Sequence, residues 1–505
     1  MSFLGVDIGT TGCKAVAFDE GGSELSAAYR DYPVSRPKEG WAELNPDEVM
    51  SRCLEVIAEA SGGAGNDPVT AIGISSQGEA VIPLAANKEV LFPAQVSFDI
   101  RAARIADEWS AAFGRRKLYD LTGHTPHPMF SLFKLLWLRH NRPDVWRRAA
   151  AFHCFEDLLQ LRLGVEPAMS WPMAGRTMLF NVREHTWDST ICDAAGIDPA
   201  RLPRVLPSGS IAGVIPDDRC RELGVEPGTP VVTGGHDQPC AALGAGALNI
   251  GEAMYATGTV ECICPVIGSA RFSGDMFRGN LCTYDYTLPE LYTTVAFSLT
   301  GGNILQWFRS EFGTPEEEQA KESGVSAYQL LLDRMPDEPS SLMVLPYFTP
   351  TGTPYFDPHA SGAILGLKLD SSREEVLRAL LEGVAFEMRL NLAILQRSSI
   401  DITRLVATGG GARSRKWTQL KADVLGTPVA AVKIGECGCL GVAMLARAAK
   451  SGTPITEVAN DMRPEFNLVE PVQEHSDFYR DRFATYEKLY PAMCKLGFAG
   501  KETSS

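Results

Sequence analysis

Three short stretches of this sequence carry residue types that could do chemistry together. In Val231-Val-Thr-Gly-Gly-His-Asp-Gln-Pro-Cys240 a strand ends, Gly234-Gly235 turn the chain, and Pro239 stands where a first helical residue would. Asp237 therefore falls beside a helix N-terminus, whose dipole favours an ionised carboxylate by roughly 0.3–1 kcal/mol. Such a carboxylate can accept a proton from a substrate hydroxyl. A plain helix cap is the simpler explanation of Asp237 taken alone. The second stretch is Met1–Asp19, where two apolar runs flank the turn Gly9-Thr10-Thr11-Gly12. Successive N–H groups in such a turn, helped by Thr hydroxyls, can hold phosphate oxygens. Asp7 just before it can orient the Mg²⁺ of a nucleotide, directly or through water, and Lys14 follows just after. An ordinary hairpin with polar turn residues accounts for this stretch as well. The third stretch, Gly251–Pro265, repeats the pattern of strand, Thr257-Gly258-Thr259 turn and strand.

Two copies of one hairpin, roughly a domain apart, predict two similar α/β domains facing each other across a cleft. The strand Val69–Ser75 runs into Ser76-Gln77-Gly78-Glu79, at the end of a strand where open α/β sheets place ligands. Asn45-Pro46-Asp47 starts a helix over Val49–Ala60, and Asp99 and Arg101 precede a helix over Ala102–Phe113 as cap and neighbour or as ligands. Helices are predicted over Ser131–His140 and Phe155–Leu163, and extended chain over Arg176–Asn181. Leu299-Thr-Gly-Gly-Asn opens an amphipathic helix. Ser372 and Glu375 form a capping box for a helix over Ser371–Leu395. The strand Arg404–Thr408 ends in Gly409-Gly410-Gly411, followed by a helix over Lys416–Leu425 and a strand over Val429–Val432. Glycines at this junction let backbone approach a ligand, and the helix N-terminus favours anions. The dinucleotide-binding fingerprint fails, because its third glycine position is Ser414. Gly435–Lys450 is the last strong helix, with Gly438, Gly441, Ala443 and Ala446 suited to close packing, and 465–505 reads as a helical tail.

The bulk numbers narrow the function. The 505 residues suffice for two large domains, and the net charge of −15 argues against nucleic acid or an anionic membrane as partner. No run of eighteen or more apolar residues appears, no secretory signal is read at the start, and twelve scattered cysteines fit buried thiols in a cytoplasmic protein. There is no G-x-x-x-x-G-K-[ST] loop, no protein-kinase loop set and no H-E-x-x-H.

Ten segments in order, among them GVDIGTTGCKAVAFD, GISSQGEA, GRTMLFN, GGHDQPCAALGAG, YATGT, GGNILQW and ATGGGARSRKW, resemble the FGGY carbohydrate kinases. That resemblance implies an α/β fold of two actin-like (ribonuclease-H-like) ATPase domains flanking a catalytic cleft, expected here over 1–246 and 247–505. It implies ATP-dependent phosphorylation of a primary hydroxyl of a small sugar or polyol, a ketose such as a pentulose or a sugar alcohol. Asp237 aligns with the catalytic base. Gly9, Thr10, Thr11 and Lys14 would hold phosphates on one side of the cleft, with Thr257, Gly258 and Thr259 on the other. Gly302, Gln306, Gly410, Gly411 and Ser414 fall on nucleotide-contacting positions, and Asp7 would orient Mg²⁺. Gln77, Gly78, Glu79, Asp99, Arg101, Trp171, His236 and Gln238 fall on the substrate side. The implied cofactors are ATP and Mg²⁺, and homodimers are common in the family. Departures concentrate in the acceptor pocket: one branch has Arg where this chain has Gly78, another has Met-His after its Gln, and Ser170-Trp171 replaces an acidic-aromatic pair. An actin- or Hsp70-like ATPase and a non-catalytic sugar-sensing relative are the other classes. The first would turn over ATP without any sugar, and the second would be expected to lose Asp237 or the phosphate loops.

Overall fold

The apolar runs on either side of the Gly9–Gly12 turn pair as expected. Ser2–Ile8 (β1) and Gly12–Phe18 (β2) are antiparallel, with Asp7 opposite Lys14, and Glu24–Asp31 (β3) extends the meander. This is seen in a computed structural model of the chain, which describes residues 1–500. Pro46–Gly63 (α1) starts on Asn45, whose side chain accepts from the Asp47 amide at 3.1 Å. Val69–Ser76 (β4) is buried along all eight residues, as a strand covered on both faces must be. Ile211–Val214 (β5) and Pro230–His236 (β6) complete a six-stranded sheet of order β5-β6-β4-β1-β2-β3.

The second half repeats this plan. Glu252–Thr257 (β7) and Glu261–Pro265 (β8) form the second hairpin, and Ala296–Ser298 (β9) pairs with it. Arg404–Thr408 (β10), Val429–Val432 (β11) and Phe466–Val469 (β12) give the order β9-β8-β7-β10-β11-β12. In both sheets a three-stranded antiparallel meander is followed by two parallel strands and one antiparallel edge. The duplication expected from the two hairpins thus extends to whole sheets.

Two helices join the halves: Asp237–Gly244 (α2) and Cys437–Ser451 (α6). Although α6 comes late in the chain, it lies on the first sheet. A Cβ on Gly5 would collide with the Cys439 carbonyl, and one on Gly73 with that of Val442. Where α2 crosses α6, a Cβ on Gly441 would collide with the Cys240 carbonyl, and one on Gly244 with that of Cys437. The small residues expected on this helix therefore permit backbone contact.

Several local expectations change. β6 runs through Gly234-Gly235, which stay in the sheet beside β4 with an irregularity after Thr233. There is no room for a side chain at 234, where a Cβ would meet the Ile74 carbonyl. Asp237 is consequently the first helical residue, with His236 at the cap position and Pro239 third. Arg176–Asn181 is mostly turn after a short helix over Trp171–Gly175, and only Phe180–Asn181 is strand. Ser372 caps the helix Arg373–Arg397 (α4), but the Glu375 carboxylate bonds Ser341 instead of closing the capping box. The predicted tail contains β12 and helices over Gln473–Tyr486 and Leu489–Leu496, and its residues 501–505 lie outside the described residues. Among the described residues no helix is long and apolar enough to cross a membrane.

The α2–α6 crossing makes a stability prediction. Gly441→Ala must push two backbones apart and should cost roughly 1–3 kcal/mol or more. Gly62→Ala, in α1 with nothing near its Cβ, should be neutral or mildly stabilising. Urea unfolding midpoints of the two variants against the parent check the contrast.

Candidate active site

The ladder registers set the site out in rows. Asp7, Ser75 and Gly235 lie side by side across β1, β4 and β6, and Ile8, Ser76 and His236 form the next row. The residues immediately beyond, Gly9–Thr11, Gln77 and Asp237, therefore converge at the carboxyl ends of the strands. Asp7 Oδ1 accepts from the Ser75 hydroxyl at 2.6 Å. Burial pushes the Asp7 carboxyl above its ordinary range, with Ser75 and Lys14 opposing it. Gln77 braces the phosphate-type turn, its amide donating to the Gly9 carbonyl at 2.9 Å while its Oε1 accepts from the Thr10 hydroxyl at 3.1 Å. Thr11 is exposed at the tip of this turn.

Asp237 enters the cleft from the first turn of α2 with 32% of its side chain exposed. Gln238 Nε2 donates to its Oδ1 at 3.1 Å, and His236 Nε2 lies 3.2 Å from the same oxygen. No protein group hydrogen-bonds Oδ2 among the described residues. Desolvation, followed by the neighbouring carboxylates Asp7 and Glu79, raises the Asp237 carboxyl to about 7, with Gln238 and Arg176 pulling the other way. A carboxyl poised there can take a proton near neutral pH.

Beside Asp237 is a cavity of about 220 Å³. Thr10, Gln77, Gly78, Glu79, His236 and Gln238 line it from the first half, and Cys262, Asn280, Phe297 and Phe356 from the second. Glu79 holds φ +65, an uncommon conformation for a residue with a side chain, and is buried against Arg176, whose Nε donates to Oε1 at 2.6 Å. Gly78 has no space for a larger residue: its Cβ would lie 3.0 Å from the His236 ring and 3.3 Å from Arg176. Arg176 fills that space and packs over Phe130 and Tyr284.

Four expected contacts fall elsewhere. Asp99 and Arg101 are paired with each other, Arg101 also reaches Glu43 at 2.7 Å, and its guanidinium stacks 3.8 Å over Trp41. Asp99 further accepts from the Ala42 amide at 2.7 Å, so this fully engaged pair braces the chain behind the cavity while Ser97 lines it. Trp171 stacks on His185 at 3.8 Å and borders neither cavity described here. Lys14 is held by both Glu436 carboxylate oxygens, at 2.8 and 2.7 Å, tying β2 to the start of α6. Arg176 and Ser97 stood inside segments marked by the sequence, but nothing in their spacing distinguished them. The cysteine and aromatic residues on the far wall carried no signal.

The second hairpin turn borders a larger cavity of about 480 Å³. The Gly258 and Thr259 carbonyls accept from Gly302 and Asn303, the opening amides of the helix Gly302–Phe312 (α3). Gly302, Gln306, Gly410, Gly411 and Ser414 line the cavity together with Thr257, Gly258 and Thr259. Gly409 (φ +81) and Gly411 let the glycine turn press on Thr257, where Cβ atoms would collide. Ser414 also caps the helix Arg415–Leu425 (α5), accepting from the Trp417 amide at 3.3 Å. The buried Lys421 ammonium, paired with Glu261 at 2.8 Å, donates to the Thr257 hydroxyl oxygen. That oxygen's own proton is left to bond elsewhere. Val260, the next residue after this turn, borders the smaller cavity, so consecutive residues of the hairpin line the two cavities.

A family model described as the FGGY family of carbohydrate kinases, N-terminal domain, matches residues 2–244, and its C-terminal counterpart matches 253–449. The gluconokinase of Bacillus subtilis (strain 168) is 27% identical over 482 residues, covering 94% of this chain and 93% of its own. The xylulose kinase of the same organism is 25% identical over 491 residues, 96% of each chain. A xyloylose kinase from Brucella ovis, solved by crystallography, has TM-score 0.88 at 27% identity over 98% of this chain and 100% of its own.

The Glu79–Arg176 pair should be costly to break. Glu79→Gln leaves a buried guanidinium without its counter-charge and should destabilise by up to about 3–5 kcal/mol. Adding Arg176→Gln should recover part of the loss, a coupling that a double-mutant cycle of denaturation midpoints will show.

Proposed function

The chain belongs to the FGGY family of carbohydrate kinases, and from that premise we propose how its cleft moves the γ-phosphoryl group of ATP onto a hydroxyl of a small sugar or polyol. The nucleotide occupies the larger cavity, against Gly302, Gln306, Gly410, Gly411 and Ser414. Its phosphates run over the Thr257-Gly258-Thr259 turn toward Gly9-Thr10-Thr11. The acceptor occupies the smaller cavity. A volume of about 220 Å³ lies below the roughly 300–1,000 Å³ of drug-sized pockets and suits one small sugar or polyol.

The observation that carries this reading is Asp237, at the acceptor cavity with one carboxylate oxygen held and the other open. The acceptor oxygen attacks the γ-phosphorus as the bond to the bridging oxygen of ADP breaks, and the hydroxyl proton passes to Asp237 Oδ2. Phosphoryl transfer needs alignment and charge stabilisation more than covalent chemistry, and this residue supplies the base. The protein offers no carboxylate cage for a cation: among the described residues no group of three metal-ligating side chains is found. One carboxylate, Asp7 beside Ser75, suits a Mg²⁺ held mainly by nucleotide phosphates and water. When bound, that ion would neutralise phosphate charge. Glu79, Arg176 and Gln77 present the polar groups that orient the acceptor, which we take to be a ketose or a sugar alcohol. The names of the relatives support a sugar-derived acceptor. A boundary between residues 246 and 247 divides the two domains, supported by family models that end at 244 and begin at 253.

Asp237→Asn should lower kcat more than a hundredfold with little change in ATP affinity, within the roughly 10²–10⁴ supplied by a general base. Near-normal turnover in a coupled ADP-release assay would overturn the assignment. Because only the ionised carboxylate accepts a proton, kcat/KM for the acceptor should rise with pH through about 7 and level off above it. Running the assay over pentuloses, hexuloses, pentitols, erythritol and glycerol identifies the acceptor.

A further inference from the structure

The two neighbours of Asp237 in sequence approach one and the same carboxylate oxygen, and each is held from behind by the opposite half of the chain. Gln238, which donates to Oδ1, has its own Oε1 bonded by the Cys262 thiol of β8 at 2.7 Å. His236, whose Nε2 is 3.2 Å from Oδ1, has its Nδ1 2.9 Å from the hydroxyl of Tyr284, in the strand Tyr284–Asp285 of the second half. The phosphoryl transfer described above needs a base, but it does not explain why the base should be gripped on one side only.

The imidazole is neutral: burial, then Arg176 and His124 nearby, hold it well below the ordinary histidine range. A neutral ring has one N–H and one lone pair, and its neighbours decide which nitrogen carries the proton. The Tyr284 hydroxyl is kept protonated by burial, so it can donate to Nδ1. That places the imidazole proton on Nε2, the nitrogen 3.2 Å from Oδ1. The opposite tautomer would aim a lone pair at Oδ1.

We propose that Tyr284 and His236 are positioning residues for the base: Tyr284 selects the imidazole tautomer, His236 and Gln238 hold Asp237 Oδ1, and Oδ2 is thereby turned to the acceptor hydroxyl. This rests on Asp237 being the base. Tyr284 and Cys262 come from the second half of the chain, so both halves contribute to orienting the carboxylate.

The charged and titratable groups facing Asp237 are Asp7, Glu79, Arg176 and His236, with the Tyr284 hydroxyl and the thiols of Cys240, Cys262 and Cys264 nearby, and of these only His236 and Tyr284 are altered in the test. Tyr284→Phe, His236→Leu, His236→Gln and Asp237→Asn are compared in kcat, acceptor KM and the pH profile of kcat/KM. Tyr284→Phe and His236→Leu should lower kcat by about ten- to a hundredfold, part of the roughly 10²–10⁴ of a general base. Acceptor KM should stay within about threefold in both, because the loss falls on the transition state. The acid limb of both should move to higher pH, since a carboxylate that loses a donor is harder to ionise. His236→Gln keeps an N–H able to reach Oδ1 and should recover most of kcat. Tyr284→Phe removes a single oxygen, so it reports even where His236→Leu fails to fold. Wild-type kinetics in Tyr284→Phe would overturn the proposal. So would a His236→Leu enzyme with raised KM, unchanged kcat and an unmoved acid limb, which would make His236 a substrate contact. An inactive Asp237→Asn alongside either result leaves the general base standing and removes only its positioning. An active Asp237→Asn removes both.

Discussion

The cleft geometry depends on one close approach, the crossing of α2 and α6 at Gly244 and Gly441, where backbone touches backbone and no side chain fits. The first residue of α2 is Asp237, and the first turn of α6 packs against Asp7, with the Gly438 Cβ position 3.3 Å from its carboxyl carbon. One helix contact therefore fixes Asp237, the proposed base, relative to Asp7 beside the Gly9–Gly12 turn. Had either glycine carried a side chain, the helices would stand further apart and the two acidic groups with them. Packed interiors transmit such a displacement because they have little free volume to absorb it.

Around that contact the site concentrates negative charge. Asp7, Glu79 and Asp237 lie near one another, and Arg176 pairs closely with Glu79. The cost of that arrangement appears in Asp237, whose carboxyl is raised to about 7 by burial and by its two acidic neighbours. A group held there is ionised often enough to act and basic enough to take a proton from an alcohol as it attacks. In an acidic protein with net charge −15, the nucleotide site proposed here relies on local donors: turn amides, Thr hydroxyls and the buried Lys421 behind Thr257. The chain is a member of a kinase family whose actin-like α/β fold it shares in both halves, and these donors recur at corresponding turns of its two duplicated sheets.

The parts of this protein legible in sequence are those with local causes. Glycine- and threonine-bearing turns between apolar runs read as hairpins, and their repetition announced a doubled fold. Small residues along 437–451 announced a helix in close contact. The junction carrying Asp237 was visible as well, although β6 extends further than expected because Gly234 and Gly235 are there for close packing instead of for a turn. Asp99 and Arg101 misled for a related reason. A charged pair at the end of an extended segment looks the same whether it faces a ligand or braces the chain, and only Glu43, Ala42 and Trp41, more than fifty residues upstream, decide that it braces.

What the sequence by itself determined is the family and the doubled architecture, and it marked the two turns and Asp237 from which the function is proposed, since each is written in contiguous residues. What only the tertiary structure decided is which oxygen of Asp237 is free and what surrounds the cavity beside it. His236 and Gln238 sit beside Asp237 in the chain, but Tyr284 and Cys262, which hold them, arrive from the other half. Arg176 reaches Glu79 from almost a hundred residues away. Hydrogen-bond direction, tautomer and proton affinity depend on groups within a few ångströms, and folding chooses those neighbours without regard to their distance along the chain.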